Sequence, residues 1–173
     1  GRTGAGKTTL ARILWGLYRP PQGTVFLDGR DINGYSRAAL RESVAGVPQD
    51  TFLFSDTLRS NIAFGAAGEA EAPALEAAAE DSRLAADFDA FPRGIDSMIG
   101  ERGITLSGGQ KQRTAIARAL MRGPRILILD DALSSVDVHT EREILERLPA
   151  RLDGRTCLIV THRFSMLSRV DRI

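Results

Sequence analysis

Gly1-Arg2-Thr3-Gly4-Ala5-Gly6-Lys7-Thr8 is the stretch that decides the fold, because it satisfies G-x-x-x-x-G-K-[ST] at every specified position. Glycines in such a loop let successive backbone N–H groups turn inward onto phosphate oxygens, where a side chain would block the approach. Lys7 supplies a point charge to the β- and γ-phosphates, and the Thr8 hydroxyl is placed to ligate Mg²⁺. The helix that follows presents its positive N-terminus to the anion. The expected phosphate cradle is therefore Gly1, Thr3, Gly4, Ala5, Gly6, Lys7, Thr8 and Thr9, with ATP and Mg²⁺ as its ligands.

Working outward, Leu10, Ile13, Leu14 and Leu17 fall at helical spacing within 7–18, and Pro20-Pro21-Gln22-Gly23 ends that helix. Trp15 and Tyr18, on the same helix, are expected to pack in the core. Thr24 to Leu27 reads as a strand closed by the turn pair Asp28-Gly29. A brief helix spans 36–42, and Val44-Ala45-Gly46-Val47 is a buried strand halted by Pro48. Residues 57–91 are mostly helical, with a solvated face over 69–89, and a further helix runs from Ser107 to about Arg122. Ile126 to Leu129 is too short for a helix and reads as a strand buried on both faces. An amphipathic helix over 138–148 and a second buried strand over 156–160 follow. Strands alternating with helices at both ends give an α/β fold: a P-loop NTPase whose mostly parallel sheet is flanked by helices. A small antiparallel portion and an inserted helical subdomain at about 50–122 complete it, with 1–49 and 123–173 forming the catalytic core.

Composition excludes other classes. The 173 residues suit one domain, and 43% hydrophobic with 26% charged residues is an ordinary α/β balance. A net charge of +1 gives no basic field for nucleic acid, so no nucleic-acid partner is expected. Cys157, the single cysteine, lies in an apolar run and reads as a buried thiol in a reducing compartment. No stretch approaches the ~20 apolar residues of a membrane span. The chain opens on Gly1 inside a motif that normally follows a strand, and Val170-Asp171-Arg172-Ile173 reads as the start of another strand. The expectation is one domain over 1–173, truncated at both ends.

Arg125 to Asp130 is an apolar strand ending in a carboxylate. Such a strand end faces the ligand crevice of a parallel sheet, which makes Asp130 an Mg²⁺ ligand together with Thr8. Leu106-Ser107-Gly108-Gly109-Gln110 opens the helix between the two motifs with a serine hydroxyl and two glycine N–H groups, an anion-binding arrangement. This pentapeptide is identical to the signature motif of the ABC (ATP-binding cassette) ATPases, and the chain resembles that family along its whole length. The resemblance implies that Ser107, Gly108, Gly109 and Gln110 meet the γ-phosphate held by a second ABC ATPase domain in a head-to-tail dimer. It implies that Gln49 is the glutamine that contacts the metal and the attacking water, that Ser134-Ser135-Val136-Asp137 is the D-loop crossing the dimer interface, and that His162 hydrogen-bonds the γ-phosphate. The run from Pro48 to Thr57 with Asn61-Ile62, and Gly100-Glu101-Arg102-Gly103, are similar to the exporter branch. There the latter segment, the X-loop, lies against transmembrane domains. A motor at the cytoplasmic face of the inner membrane is thus implied. The aromatic residue that stacks on adenine in the family lies upstream of this sequence.

One position departs from the family. Where active members carry a glutamate as general base, this chain has Asp131. Aspartate is one methylene shorter, about 1.5 Å, and a ~1 Å misplacement costs on the order of 10²-fold in rate. Asp131 resembles the weakened site of heterodimeric exporters, in which the partner is a different subunit and carries the competent site. A homodimer in which aspartate does the work is the alternative. Two other classes compete with the transport reading. One is a DNA-maintenance ABC ATPase, for which no coiled-coil heptads are present. The other is a regulatory module that holds ATP with little turnover.

Overall fold

The computed structural model describes residues 4–66, 68–100, 103–163, 166 and 170–173. Three parallel strands form its centre: β3 (Val44–Val47), β4 (Ile126–Asp130) and β5 (Thr156–Val160), in the order β3-β4-β5. Val44 pairs with Ile126 and Ile126 with Thr156, so the strands start level; Asp130 pairs with Val160 at the other end. The middle strand is buried on both faces, with Leu127, Ile128 and Leu129 at most 1% exposed. That burial explains its unbroken apolar run. All three strands point the same way, so the residues that follow them come out along one edge of the sheet.

Helices cover both faces. On one side α1 (Lys7–Leu14) sets Ala11, Leu14 and Trp15 against Val44, Ile126, Ile128 and Leu158. This corrects the expected stripe. Leu10 and Leu17 are 43% and 57% exposed, and Tyr18 is 50% exposed rather than packed in the core. The helix stops at Leu14 and the chain turns through Gly16 at φ 71°, so Leu17 never reaches the helical face. Gly46 in β3 makes room for Trp15, since a Cβ there would lie 1.9 Å from the indole Nε1.

On the other side α5 (Gly108–Met121), α4 (Ala72–Asp81) and α6 (Val138–Arg151) share one core with the sheet, including Ile116, Leu120, Leu75, Ile144 and Leu148. Burial of each such leucine or isoleucine contributes about 1.5–3 kcal/mol. The charged residues expected to make a solvated face lie opposite: on α4 Glu76 and Glu80 are exposed while Leu75, Ala78 and Ala79 are buried. Helix α6 runs past the expected end at Leu148, through Pro149, to Arg151. The N–H of Leu152 still donates to the Leu148 carbonyl at 2.9 Å.

The remaining elements are small. Helix α2 (Arg37–Ser43) is capped by the Ser36 hydroxyl, which accepts from the Ala39 N–H, and α3 (Leu58–Ala63) is capped in the same way by Thr57. Strands β1 (Phe26–Leu27) and β2 (Arg30–Asp31) form an antiparallel hairpin. Of the strand expected over 24–27 the last two residues form β1, and the Val25 carbonyl accepts one further bond from the Ile32 N–H at 2.9 Å. The two-residue turn, Asp28 and Gly29, has both φ angles positive, at 48° and 77°, as a primed hairpin turn requires.

Candidate nucleotide site at the carboxyl ends of the strands

The topology gathers four predicted residues at one edge of the sheet. Gln49 lies two residues past β3 and is exposed; Asp130 ends β4 and Asp131 follows it; His162 lies two residues past β5 and is exposed. Helix α1, which the phosphate loop enters at Lys7, packs on the adjoining sheet face.

The loop has the backbone its sequence demands. Gly4 and Gly6 adopt φ of 80° and 86°, a left-handed region that L side chains avoid, and no atom lies within 4 Å of where a Cβ would project. The Gly6 carbonyl accepts the first helical hydrogen bond, from Leu10 N–H at 2.9 Å, and no side chain caps the helix. A helix start of this kind, with a glycine at the N-cap, suits an anion. Ala5 and Thr9 are exposed, Lys7 and Thr8 half-buried. The predicted cradle residues Gly1 and Thr3 lie outside the described residues.

Asp130 carries the clearest mark of a ligand. Its side chain is buried, with the residue 2% exposed, yet Oδ2 has no hydrogen-bond partner among the described residues. A buried carboxylate oxygen is costly unless something cationic or protic meets it. Among the described residues no group of three or more His, Cys, Asp or Glu could hold a metal by itself. One carboxylate, a hydroxyl at Thr8 and an amide at Gln49 instead suit an ion that completes its shell with substrate phosphate oxygens, which is the habit of Mg²⁺.

Asp131 sits at φ 51°, in a left-handed conformation that aspartate tolerates better than most residues. Its N–H donates to the Val160 carbonyl at 2.8 Å, which extends the β4–β5 ladder by one bond and anchors the Asp131 backbone at the strand tip.

The predicted signature forms a built helix start. Ser107 Oγ accepts from Gln110 N–H at 3.2 Å while Gln110 Oε1 accepts from Ser107 N–H at 3.0 Å, a reciprocal cap. Gly108 and Gly109 face the segment 131–137. A Cβ on Gly109 would stand 2.9 Å from the Ser135 carbonyl oxygen, and one on Gly108 would stand 3.1 Å from Ser135 Cβ. The glycines are therefore needed for contact within the chain as well as for any anion.

Several residues at the site were not singled out from sequence. Gln112, 4% exposed, donates from Nε2 to Ser134 Oγ (2.9 Å) and accepts at Oε1 from Ser135 N–H (2.8 Å). Its position offered a signal: it shares a helical stripe with the buried Ala115, Ile116 and Ala119, where a glutamine needs polar partners. Arg163, beside His162, binds the Ser134 and Val136 carbonyls. Asn61, which the sequence marks only as part of the exporter-like run, is fully buried and bonds the backbone of Phe54 and Thr57, and Arg118, not singled out, donates to its side chain and carbonyl. These bonds fold residues 52–64 into a fixed bend. They frame a cavity of about 480 Å³, lined by Trp15, Pro48, Phe52, Phe54, Phe64 and Arg118. Burial lowers the pKa of Arg118, whose guanidinium stacks 5.3 Å from the Phe54 ring centroid. Glu101 and Arg102 lie outside the described residues.

The ABC transporter family model matches residues 1–134. This chain belongs to the ABC transporter family. The whole chain is 42% identical to the ATP-dependent lipid A-core flippase of Idiomarina loihiensis and covers 30% of that protein. It is 43% identical, again over its whole length, to the ATM1-type heavy metal exporter of Novosphingobium aromaticivorans, of which it covers 28%. A bacterial Atm1-family ABC exporter solved with ATP bound superposes with a TM-score of 0.91 at 42% identity, over 99% of this chain and 30% of that one. The chain thus has the ABC ATPase fold and spans about three tenths of the length of these relatives. Among the described residues no helix is long and apolar enough to cross a membrane.

Proposed function

We propose that this chain is the ATP-hydrolysing motor of an ABC exporter, acting at the cytoplasmic face of the inner membrane as one of a head-to-tail pair of ATPase domains. The unpartnered Asp130 oxygen at the β4 tip carries the hydrolase reading, because it supplies a buried carboxylate with no protein partner among the described residues, at the sheet edge where Gln49 and His162 also emerge. Lys7 and the N–H groups of 4–9 bind the phosphates, while Thr8, Asp130 and Gln49 would hold Mg²⁺. Bound there, the ion would offset phosphate charge. Asp131 orients the attacking water, and His162 contacts the γ-phosphate. Ser107 to Gln110 serve the nucleotide bound by the partner.

The export reading is supported by relatives named as a flippase and a heavy metal exporter. Their cargoes differ at nearly equal identity, so the transported substrate is not set by this domain. The apolar cavity framed by Phe52, Phe54 and Phe64 is where the transmembrane domains dock, since Phe52 and Phe64 are 68% and 65% exposed and the cavity lies in the exporter-like run of the sequence.

Asp131 makes the chain's own site slow, and the partner is a different subunit with a competent site. In the assembled transporter, Asp131→Asn should leave most ATP turnover in place. Loss by more than ~10²-fold would make Asp131 a working base and favour a homodimer.

A further inference from the structure

The segment 131–137 leaves β4 and enters α6, and several of its polar groups are satisfied by side chains from elsewhere. From α5, Gln112 holds the Ser134 hydroxyl and the Ser135 N–H. From beyond β5, the Arg163 guanidinium donates through Nη2 to the Ser134 carbonyl (2.6 Å) and through Nη1 to the Val136 carbonyl (3.0 Å). The same Nη1 pairs with Glu141, 2% exposed on the first turn of α6. Ser134, Ser135 and Asp137 are exposed between these two grips. A rigid fork reaching two carbonyls and a carboxylate fixes geometry in a way that a single ammonium cannot.

Gln112 lies five residues along the helix that Ser107 caps, and Arg163 is bonded to His162 in sequence. The segment is therefore clamped between the element that meets one nucleotide and the element that meets the other. We propose that Arg163 and Gln112 are positioning residues. Together they set segment 131–137 so that His162 at this chain's own nucleotide and the Ser107 end at the partner's are held in one register. This rests on the ATPase reading above, with the two ends serving different nucleotides. Neither residue is assigned a contact to nucleotide, so ATP affinity should not depend on them.

The test uses the full-length transporter, with steady-state ATPase kinetics, nucleotide binding and thermal melting. Arg163→Met combined with Glu141→Gln removes both charges of the pair, so no unpaired buried charge is left to unfold the protein. That double variant should melt within a few degrees of the unmodified protein. Its kcat should fall about 10-fold or more, its KM for ATP should stay within about twofold, and the Hill coefficient should drop toward one. Arg163→Lys, which keeps the charge, should not restore kcat. Gln112→Met, which leaves the Arg163 pair alone, should give the same split between kcat and KM. Full turnover in the double variant or in Arg163→Lys would overturn the proposal, because the pair would then only support the fold. So would Gln112→Met with unchanged kcat. Absence of any ATP turnover in the unmodified full-length transporter would instead sink the ATPase reading itself.

Discussion

Alanine at Gly109 is a one-atom perturbation whose size can be read from the structure. The added Cβ would stand 2.9 Å from the Ser135 backbone oxygen, with Ser135 C at 3.6 Å and Val136 Cα at 3.7 Å behind it. Ordinary contact begins near 3.4 Å, so about half an ångström must be found. The obstacle is backbone, held by Gln112 and Arg163, and it cannot rotate away as a side chain would. The start of α5 must therefore lift from segment 131–137. A ~1 Å misplacement of positioned groups costs about 10²-fold, so half of that displacement should cost roughly 10-fold in kcat. Overpacking should cost about 1–3 kcal/mol of stability, partly offset because alanine favours helix over glycine. The assay is steady-state ATPase in the full transporter, paired with binding of a fluorescent ATP analogue. If the signature serves the partner's nucleotide, as proposed, own-site affinity should stay within about twofold. Unchanged kcat in a folded Gly109→Ala protein would refute the contact argument. Loss of own-site affinity with kcat preserved would show that this helix end serves the wrong nucleotide in the present account.

Three further outcomes are expected. Lys7→Ala should reduce ATP affinity at this chain's own site by at least 10-fold in an equilibrium binding titration, since a charge-assisted phosphate contact is removed. Gly46→Ala should lower the melting temperature by several degrees, because its Cβ would lie 1.9 Å from Trp15 Nε1 and the indole must leave its place on β3; a calorimetric scan decides this. Burial raises the Cys157 thiol from 9.0 to about 11, so alkylation at pH 8 should be far slower in native than in denatured protein. The thiol's contribution to stability is complete below pH 9 and is lost as pH rises from 9 toward 11.

Much of this architecture was legible in residue order. The runs 44–47, 126–130 and 156–160 read as buried strands, and they form the parallel sheet; β3 and β4 are buried as expected, while β5 is only half-buried, with Thr156 exposed. Asp28-Gly29 announced its hairpin through turn chemistry. The first helix was harder to place, because leucines at helical spacing do not distinguish a buried stripe from an exposed one. Ala11 and Trp15, not Leu10 and Leu17, face the sheet. At the site, Lys7, Asp130 and the Ser107 cap follow from local motifs. Gln112 and Arg163 do not, since their roles depend on which loop the fold brings beside them. A long-range contact to a backbone carbonyl leaves little trace in sequence.

The central claim is that the phosphate loop and the β4 tip form an Mg-ATP hydrolysis site, and the Asp130 carboxylate tests it most directly. The measurement is ATP turnover of the full transporter against Mg²⁺ concentration, for the unmodified chain and for Asp130→Asn. If the partner's site contributes, it is silenced by a lysine-to-alanine change in that subunit's own phosphate loop. The account predicts Mg²⁺-dependent turnover in the first case. With asparagine, which keeps the shape but not the charge of the unpartnered Oδ2, turnover should fall at least 10²-fold at saturating Mg²⁺ while the melting temperature is held or raised. Undiminished turnover in a folded Asp130→Asn protein, with the same dependence on Mg²⁺, would contradict it.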